Sequence, residues 1–166
     1  MTEKVMKVQP IRNGTVIDHI IAGKGVKIMD LLGFNQEGTA ILSIMNVKSK
    51  KLGRKDIIKI EDRELSEEDI NKIALLSPRC HINIIRNYAV SEKIEAKVPK
   101  INVGIAKCNN QNCISNNQRN LESKLELKDE ETFTLKCMYC KRGIVRLNLY
   151  LCQHGHHLTF TLIFPY

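Results

Sequence analysis

Six cysteines are the residues of this chain with the most chemistry to offer. Four fall in two close pairs: Cys108-Asn-Asn-Gln-Asn-Cys113 is a C-x4-C, and Cys137-Met-Tyr-Cys140 is a C-x2-C. A tight turn lets two thiolates converge on one ion, and two such turns complete the tetrahedron that zinc prefers. Four thiolates leave no open position for water, so such a site is structural rather than catalytic. Two other readings fit the same residues: four reduced, buried cysteines, or a redox pair at Cys137 and Cys140. The redox reading lacks the helix-forming segment that follows a thioredoxin-like C-x2-C. Cys80 and Cys152 stand alone, and Cys80, just after Pro78-Arg79, reads as a small buried residue. Cys152 with His154, His156 and His157 is a weaker candidate cluster, in an irregular stretch with no second knuckle.

The remaining polar residues do not assemble an enzyme. His19 has no Ser, Cys or paired carboxylate near it in a triad pattern. Gly23-Lys24-Gly25 looks like a phosphate loop only superficially, because the pattern after it is missing. On a strand, Lys55, Ile57 and Lys59 share one face and Asp56, Ile58 and Ile60 the other. Two lysines spaced by an isoleucine could hold polyphosphate; the plainer alternative is a solvated sheet face.

The elements that must position these residues fall into two groups. VMKVQPI, residues 5–11, alternates as a half-buried strand does, and Asn13-Gly14 is a hairpin turn signal. GTVIDHI reads as a second strand. Residues 23–32 run close to a helical period and end at Gly33. AILSIMNV and KDIIKIED are strands around the basic turn KSKKLG. Ser66 before Glu67, Glu68 and Asp69 marks a helix start, with Ile70, Ile73, Ala74 and Leu76 as its apolar stripe and Pro78 beyond its end. HINII and residues 88–94 are two more strands. The expected fold class is α+β: an antiparallel sheet with two helices on one face, then a small all-β, zinc-ribbon-like domain in which INVGIAKC and TFTLKC lead into the cysteine pairs. The boundaries are 1–97 and 101–150, with 151–166 a tail of unclear status.

Composition bounds what such a chain does. It has 166 residues, 43% hydrophobic and 27% charged, with no Trp, so its core must come from Ile, Leu and Val. The net charge of +8 suits anionic partners. The charge is spread along the chain rather than gathered in a basic arm, and no stacking aromatics flank the basic residues, which weakens a nucleic-acid reading. No apolar run approaches the roughly 20 residues of a membrane span. MTEKVMKVQP is polar where a signal peptide needs an apolar stretch, so a cytoplasmic setting with reduced thiols is expected.

Five short segments together with the cysteine spacing carry a resemblance. They are GTVIDHI, GRKDIIKIE, the Ser66–Pro78 helix as S-x-E-x-x-x-x-x-A-L-x-x-P, Asn83 to Val90 as N-x-I-x-N-Y-x-V, and Cys113-Ile114-Ser115. In this order and register, from about Val5 to Cys140, the chain resembles the regulatory chain of aspartate carbamoyltransferase. The resemblance implies a ferredoxin-like allosteric domain that binds the nucleoside triphosphates CTP, ATP and UTP as effectors of pyrimidine biosynthesis. It also implies a zinc domain that docks on the catalytic chain, and no catalytic activity of its own. Residue by residue, it implies nucleotide contacts at Val8, Gln9, Ile11, Asp18, His19, Lys59, Asn83, Ile85, Tyr88, Val90 and Lys93. The metal ligands it implies are Cys108, Cys113, Cys137 and Cys140, holding one zinc. Gln9 stands where the best-known members carry an acidic residue, so the resemblance does not carry base preference. It further implies a self-dimer through the first domain, and an assembly of two catalytic trimers with three regulatory dimers. The alternative function is a zinc-ribbon nucleic-acid-binding protein. Residues 141–166 do not align with the family's usual short ending.

Overall fold

The computed structural model describes residues 10–33, 38–145 and 150–151. Residues 5–9 of the expected first strand, with Val8 and Gln9, lie outside the described residues, as does the segment holding Cys152, His154, His156 and His157; Pro10 and Ile11 are described and are not in a strand.

The first sheet is built from β1 (Gly14–Ile21), β2 (Ile41–Ser49), β3 (Gly53–Glu61), β4 (His81–Arg86) and β5 (Ala89–Glu95), in the order β2-β3-β1-β4-β5 and antiparallel throughout. Helix α1 (Gly25–Leu31) carries the chain from β1 across to β2, and α2 (Glu67–Leu76) carries it from β3 to β4. Leaving out β5, this is the β-α-β-β-α-β order of a ferredoxin-like split. Ile17, Ile20, Ile58, Ile60, Ile82 and Ile84 turn from the sheet toward Ile28 and Leu32 of the α1 segment and Ile73 and Ala74 of α2, forming one core. Both helices therefore cover the same face, and the other face stays open. The start of α2 follows its sequence signal. Ser66 Oγ accepts from the Asp69 N–H at 3.2 Å, and Asp69 Oδ2 accepts from the Ser66 N–H at 3.3 Å, a reciprocal capping box.

Three register shifts break the sheet's alternation, one of them in the β4–β5 pair, where β4 advances from Ile84 to Ile85 while β5 goes from Glu92 to Val90. Between Ile17 and Ile20, β1 advances three residues while β3 advances two, and His19 takes φ 60°. Ile17 and Ile20 are thus both fully buried, which turns Asp18 and His19 together to the open side. β2 does the same between Ile44 and Val47, where Asn46 takes φ 62°. Asp56, on the strand between the bulges, is fully buried. Its carboxylate accepts from the N–H groups of Gly23 (2.8 Å), Gly25 (3.0 Å) and Asn46 (2.8 Å), pinning the start of α1 and one bulge to β3.

The second unit begins after the Ala96–Lys100 connection. It holds a four-stranded antiparallel sheet of β6 (Ile101–Val103), β8 (Lys124–Asp129), β9 (Thr134–Cys137) and β10 (Gly143–Val145), ordered β10-β9-β8-β6. A short pair joins β7 (Ala106–Lys107) to β11 (Tyr150–Leu151), and one turn of helix, α3 (Ile114–Asn117), follows Cys113. INVGIAKC is expected as one strand. It is two, because Gly104 takes φ 69° between them. The polar stretch between the cysteine pairs also holds β8, whose Leu125 is fully buried. This core gathers Ile105, Leu125, Phe133, Leu135 and Ile144 around the cysteines, and Leu75 of α2 reaches into it. No helix of the described residues is long and apolar enough to cross a membrane.

Candidate functional site

The two knuckles bring four sulfurs together. Cys108 follows β7, Cys113 caps α3, Cys137 ends β9 and Cys140 lies in the turn before β10. The ligand atoms of all four lie within 4.8 Å of one another. Cys108 and Cys140 Sγ are 3.5 Å apart, and Cys113 and Cys137 Sγ are 3.8 Å apart. A tetrahedral ion bonded to sulfur at roughly 2.3 Å places its ligands about 3.8 Å from one another, so this donor set fits zinc-sized thiolate coordination.

Backbone turns and asparagines hold the knuckles. The Lys141 N–H donates to the Cys137 carbonyl and the Cys137 N–H to the Arg142 carbonyl, each at 3.0 Å. Asn116 Nδ2 donates to the carbonyls of Cys108 (2.7 Å) and Asn110 (2.8 Å). Asn117 Nδ2 donates to those of Gln111 and Cys113, both at 2.9 Å. The Ser115 hydroxyl lies 3.2 Å from Cys113 Sγ. Burial pushes the Cys108 and Cys137 thiols up. At Cys113 burial works against the thiolate, but the Ser115 hydroxyl and N–H and the Cys137 thiol together hold the thiol below its ordinary value. At Cys140 burial works against the thiolate, but hydrogen bonds from the Arg142 N–H, Cys108, Asn110 and Cys137 together bring the thiol down to about 6. A cation at this centre would take the place of the protons that burial favours on Cys108 and Cys137. Cys80 is apart and fully buried, pushed up to about 12 by that burial, an inert core residue as its sequence context suggests.

The open face of the first sheet collects the second group. Register pairs Lys59 (β3) with Val16 (β1), Val16 with Asn83 (β4), and Asn83 with Lys93 (β5), so one row across four strands starts and ends on a lysine. The backbones of Lys59 and Lys93 lie roughly 14 Å apart, three strand spacings. Burial holds the Lys59 ammonium below its ordinary value, a cost that an anion on the face would relieve. The next row runs Asp18, His81, Glu95. Lys55 Nζ lies 2.7 Å from Asp18 Oδ1. Burial works against that carboxylate's charge, but the Lys55 ammonium and the His19 N–H hold it below its usual range.

Of the expected nucleotide contacts, Asp18, His19, Lys59, Asn83 and Lys93 therefore come together on one face. At the other end of the rows, the Tyr88 N–H donates to the Arg12 carbonyl at 2.8 Å, bringing the β4–β5 turn against residues 11–13. Tyr88 and Val90 are exposed, while Ile11 and Ile85 are buried. Val8 and Gln9 lie outside the described residues. Sequence reasoning missed Asn116, Asn117 and His81. The asparagines act through backbone carbonyls, which leaves no spacing rule to find. His81 is revealed only by the strand register.

Comparison with known proteins matches both units to one family. The family profile "Aspartate carbamoyltransferase regulatory chain, allosteric domain" matches residues 6–97. The profile for the metal binding domain of the same chain matches residues 100–148. A regulatory chain from Methanothrix thermoacetophila is 46% identical over 145 residues, covering 87% of this chain and 94% of its own. One from Pyrococcus horikoshii is 49% identical over 139 residues, covering 82% and 91%. One from Thermoplasma acidophilum is 40% identical over 141 residues, covering 84% and 93%. With both its sheet domain and its four-cysteine domain matched, the chain belongs to the family of aspartate carbamoyltransferase regulatory chains, which are non-catalytic.

Proposed function

We propose that this chain binds nucleoside triphosphates (CTP, ATP and UTP) on the open face of its first sheet, and transmits their binding to the catalytic chains of aspartate carbamoyltransferase. The observation that carries the reading is the row Lys59–Val16–Asn83–Lys93, with Asp18 and His19 turned onto the same face by a bulge. Two lysines bracket room for a polyphosphate, Asn83 offers an amide between them, and exposed Tyr88 and Val90 give the base and ribose a less polar end. The contacts are Val8, Gln9, Ile11, Asp18, His19, Lys59, Asn83, Ile85, Tyr88, Val90 and Lys93.

Zinc is the metal of the four-cysteine centre, held by Cys108, Cys113, Cys137 and Cys140, one per chain. It supplies folding energy and rigid knuckles rather than chemistry. The zinc domain, within 101–150, then offers its knuckles to the catalytic chain. The first domain, within 1–97, pairs with a second copy, in an assembly of two catalytic trimers and three regulatory dimers in the cytoplasm. An effector acts by favouring one of two assembly states, since a ligand with equal affinity for both shifts nothing. Reciprocity requires that ligands of the catalytic site change nucleotide affinity by the same factor.

Isothermal titration of the zinc-loaded chain with CTP, ATP and UTP tests the reading. Saturable binding at one site per chain is expected. Binding to oligonucleotides with a steep salt dependence, and none to triphosphates, would replace it with a nucleic-acid function.

A further inference from the structure

One group on the open face is left unused by the nucleotide contacts above. His81 opens β4 beside Asp18, and its ring meets that of His19 edge to face, with centroids 5.0 Å apart and planes at 85°. The two Nδ1 atoms are 3.4 Å apart. His19 reaches this position only because the bulge turns it to the open side. Its Nδ1 is also 3.1 Å from Asp18 Oδ2, a carboxylate that Lys55 keeps ionised.

The carboxylate selects the tautomers. A lone pair on His19 Nδ1 would face a negative oxygen, so that atom carries the proton and donates it toward Asp18. His81 then turns an Nδ1 lone pair to the same spot and keeps its own proton on Nε2. One further proton fits on the pair as a unit, because the resulting imidazolium lies beside a carboxylate and faces a lone pair. A second, on His81 Nδ1, would oppose two N–H groups at this distance. The pair accommodates one extra proton and not two.

The surroundings decide when that proton arrives. Burial first, then His19, Lys93 of β5 and Lys51 of the β2–β3 turn, hold His81 below its ordinary value, while Glu95 of β5 pulls it up. Among the described residues, Asp18, paired with Lys55 of β3, is the carboxylate beside the His19 ring. Negative charge placed among these lysines reverses the balance.

We propose that His81 is a further residue of the effector site, and that the His19–His81 pair takes up one proton when a polyphosphate settles on this face. The inference rests on the nucleotide reading above and adds its regulation by pH. The proton is bound more tightly in the complex than in the free chain, so affinity rises as pH falls. The rise is at most about tenfold per pH unit between the free and bound titration points.

The test is CTP binding to the full, zinc-loaded chain at pH values from about 6 to 8.5, with ring ¹⁵N shifts of His19 and His81 recorded with and without CTP. The two rings should titrate as one coupled pair, with a midpoint raised by CTP. His81→Ala should flatten the pH dependence of affinity, while His81→Asn, which keeps an acceptor toward His19, should restore part of it. The nucleotide's own titration is common to parent and variants and cancels in the comparison. CTP binding that leaves the ring midpoints unmoved, or a pH dependence in His81→Ala as steep as the parent's, overturns the proposal alone. No binding of CTP, ATP or UTP at any pH overturns the effector reading and this proposal with it.

Discussion

Lys59 and Lys93 reach the same row of the sheet from strands on opposite sides, so each should meet the polyphosphate from a different direction. A charge-assisted phosphate contact is worth roughly 1.5–3 kcal/mol. Lys59→Ala and Lys93→Ala should each weaken CTP binding about tenfold to a hundredfold by calorimetry. If both variants bind all three triphosphates as the parent does, the face is wrongly assigned. Lys59 lies inside GRKDIIKIE and Lys93 three residues beyond the Asn83 to Val90 segment, while the clustering of the four cysteines was legible from their spacing. Asn117 was not, since its two hydrogen bonds run to carbonyls of the C-x4-C loop. Such supporting contacts are typically worth about 10- to 100-fold in metal affinity. Asn117→Ala should therefore lose its metal to a chelator at least about tenfold faster, while still binding one equivalent when metal is in excess. Release at the parent's rate would show that the loop holds its shape without Asn117.

At the scale of elements, most strands and both larger helices could be read from alternation, the Ser66 cap and the breakers at Gly33 and Pro78. The bulges could not. Regular alternation through GTVIDHI puts His19 on the same side as Ile17, in the core. The structure buries Ile20 instead and turns Asp18 and His19 out side by side. A single residue inserted into one strand reverses every later side chain, and nothing in local propensity announces it. Asp56 is the buried group that ties the neighbouring segments to β3. Removing it leaves the N–H groups of Gly23, Gly25 and Asn46 without their acceptor, at about 1–3 kcal/mol for a buried donor. Asp56→Ala should lower stability by at least about 2 kcal/mol in urea unfolding and weaken CTP binding as well, because β3 carries Lys55 and Lys59. Unchanged stability would mean that water replaces the carboxylate.

At the scale of the whole molecule, the two units meet through α2. Its Ile73 and Ala74 belong to the first core, while Leu75 packs in the second beside Ile105, Leu125 and Leu135. Val98 touches both cores. The apolar stripe of α2 was legible as a stripe, but a sequence pattern does not say which neighbour each residue meets, so Leu75 was not. Stripping the metal with a mercurial should unfold the second unit while the first sheet keeps its structure by amide exchange, with protection lost at the C-terminal turn of α2. Loss of both units together would show that the first cannot stand without the second. The role proposed for the chain is to make another protein's chemistry respond to nucleotides, and one measurement addresses it most directly. Isolated catalytic trimers are assayed alone and after assembly with this chain, while CTP and ATP are titrated. The trimers alone should ignore both nucleotides. The assembled enzyme should change its rate with at least one of them, and the change should weaken with the Lys93→Ala chain. An assembled complex whose rate is indifferent to every triphosphate would contradict the account.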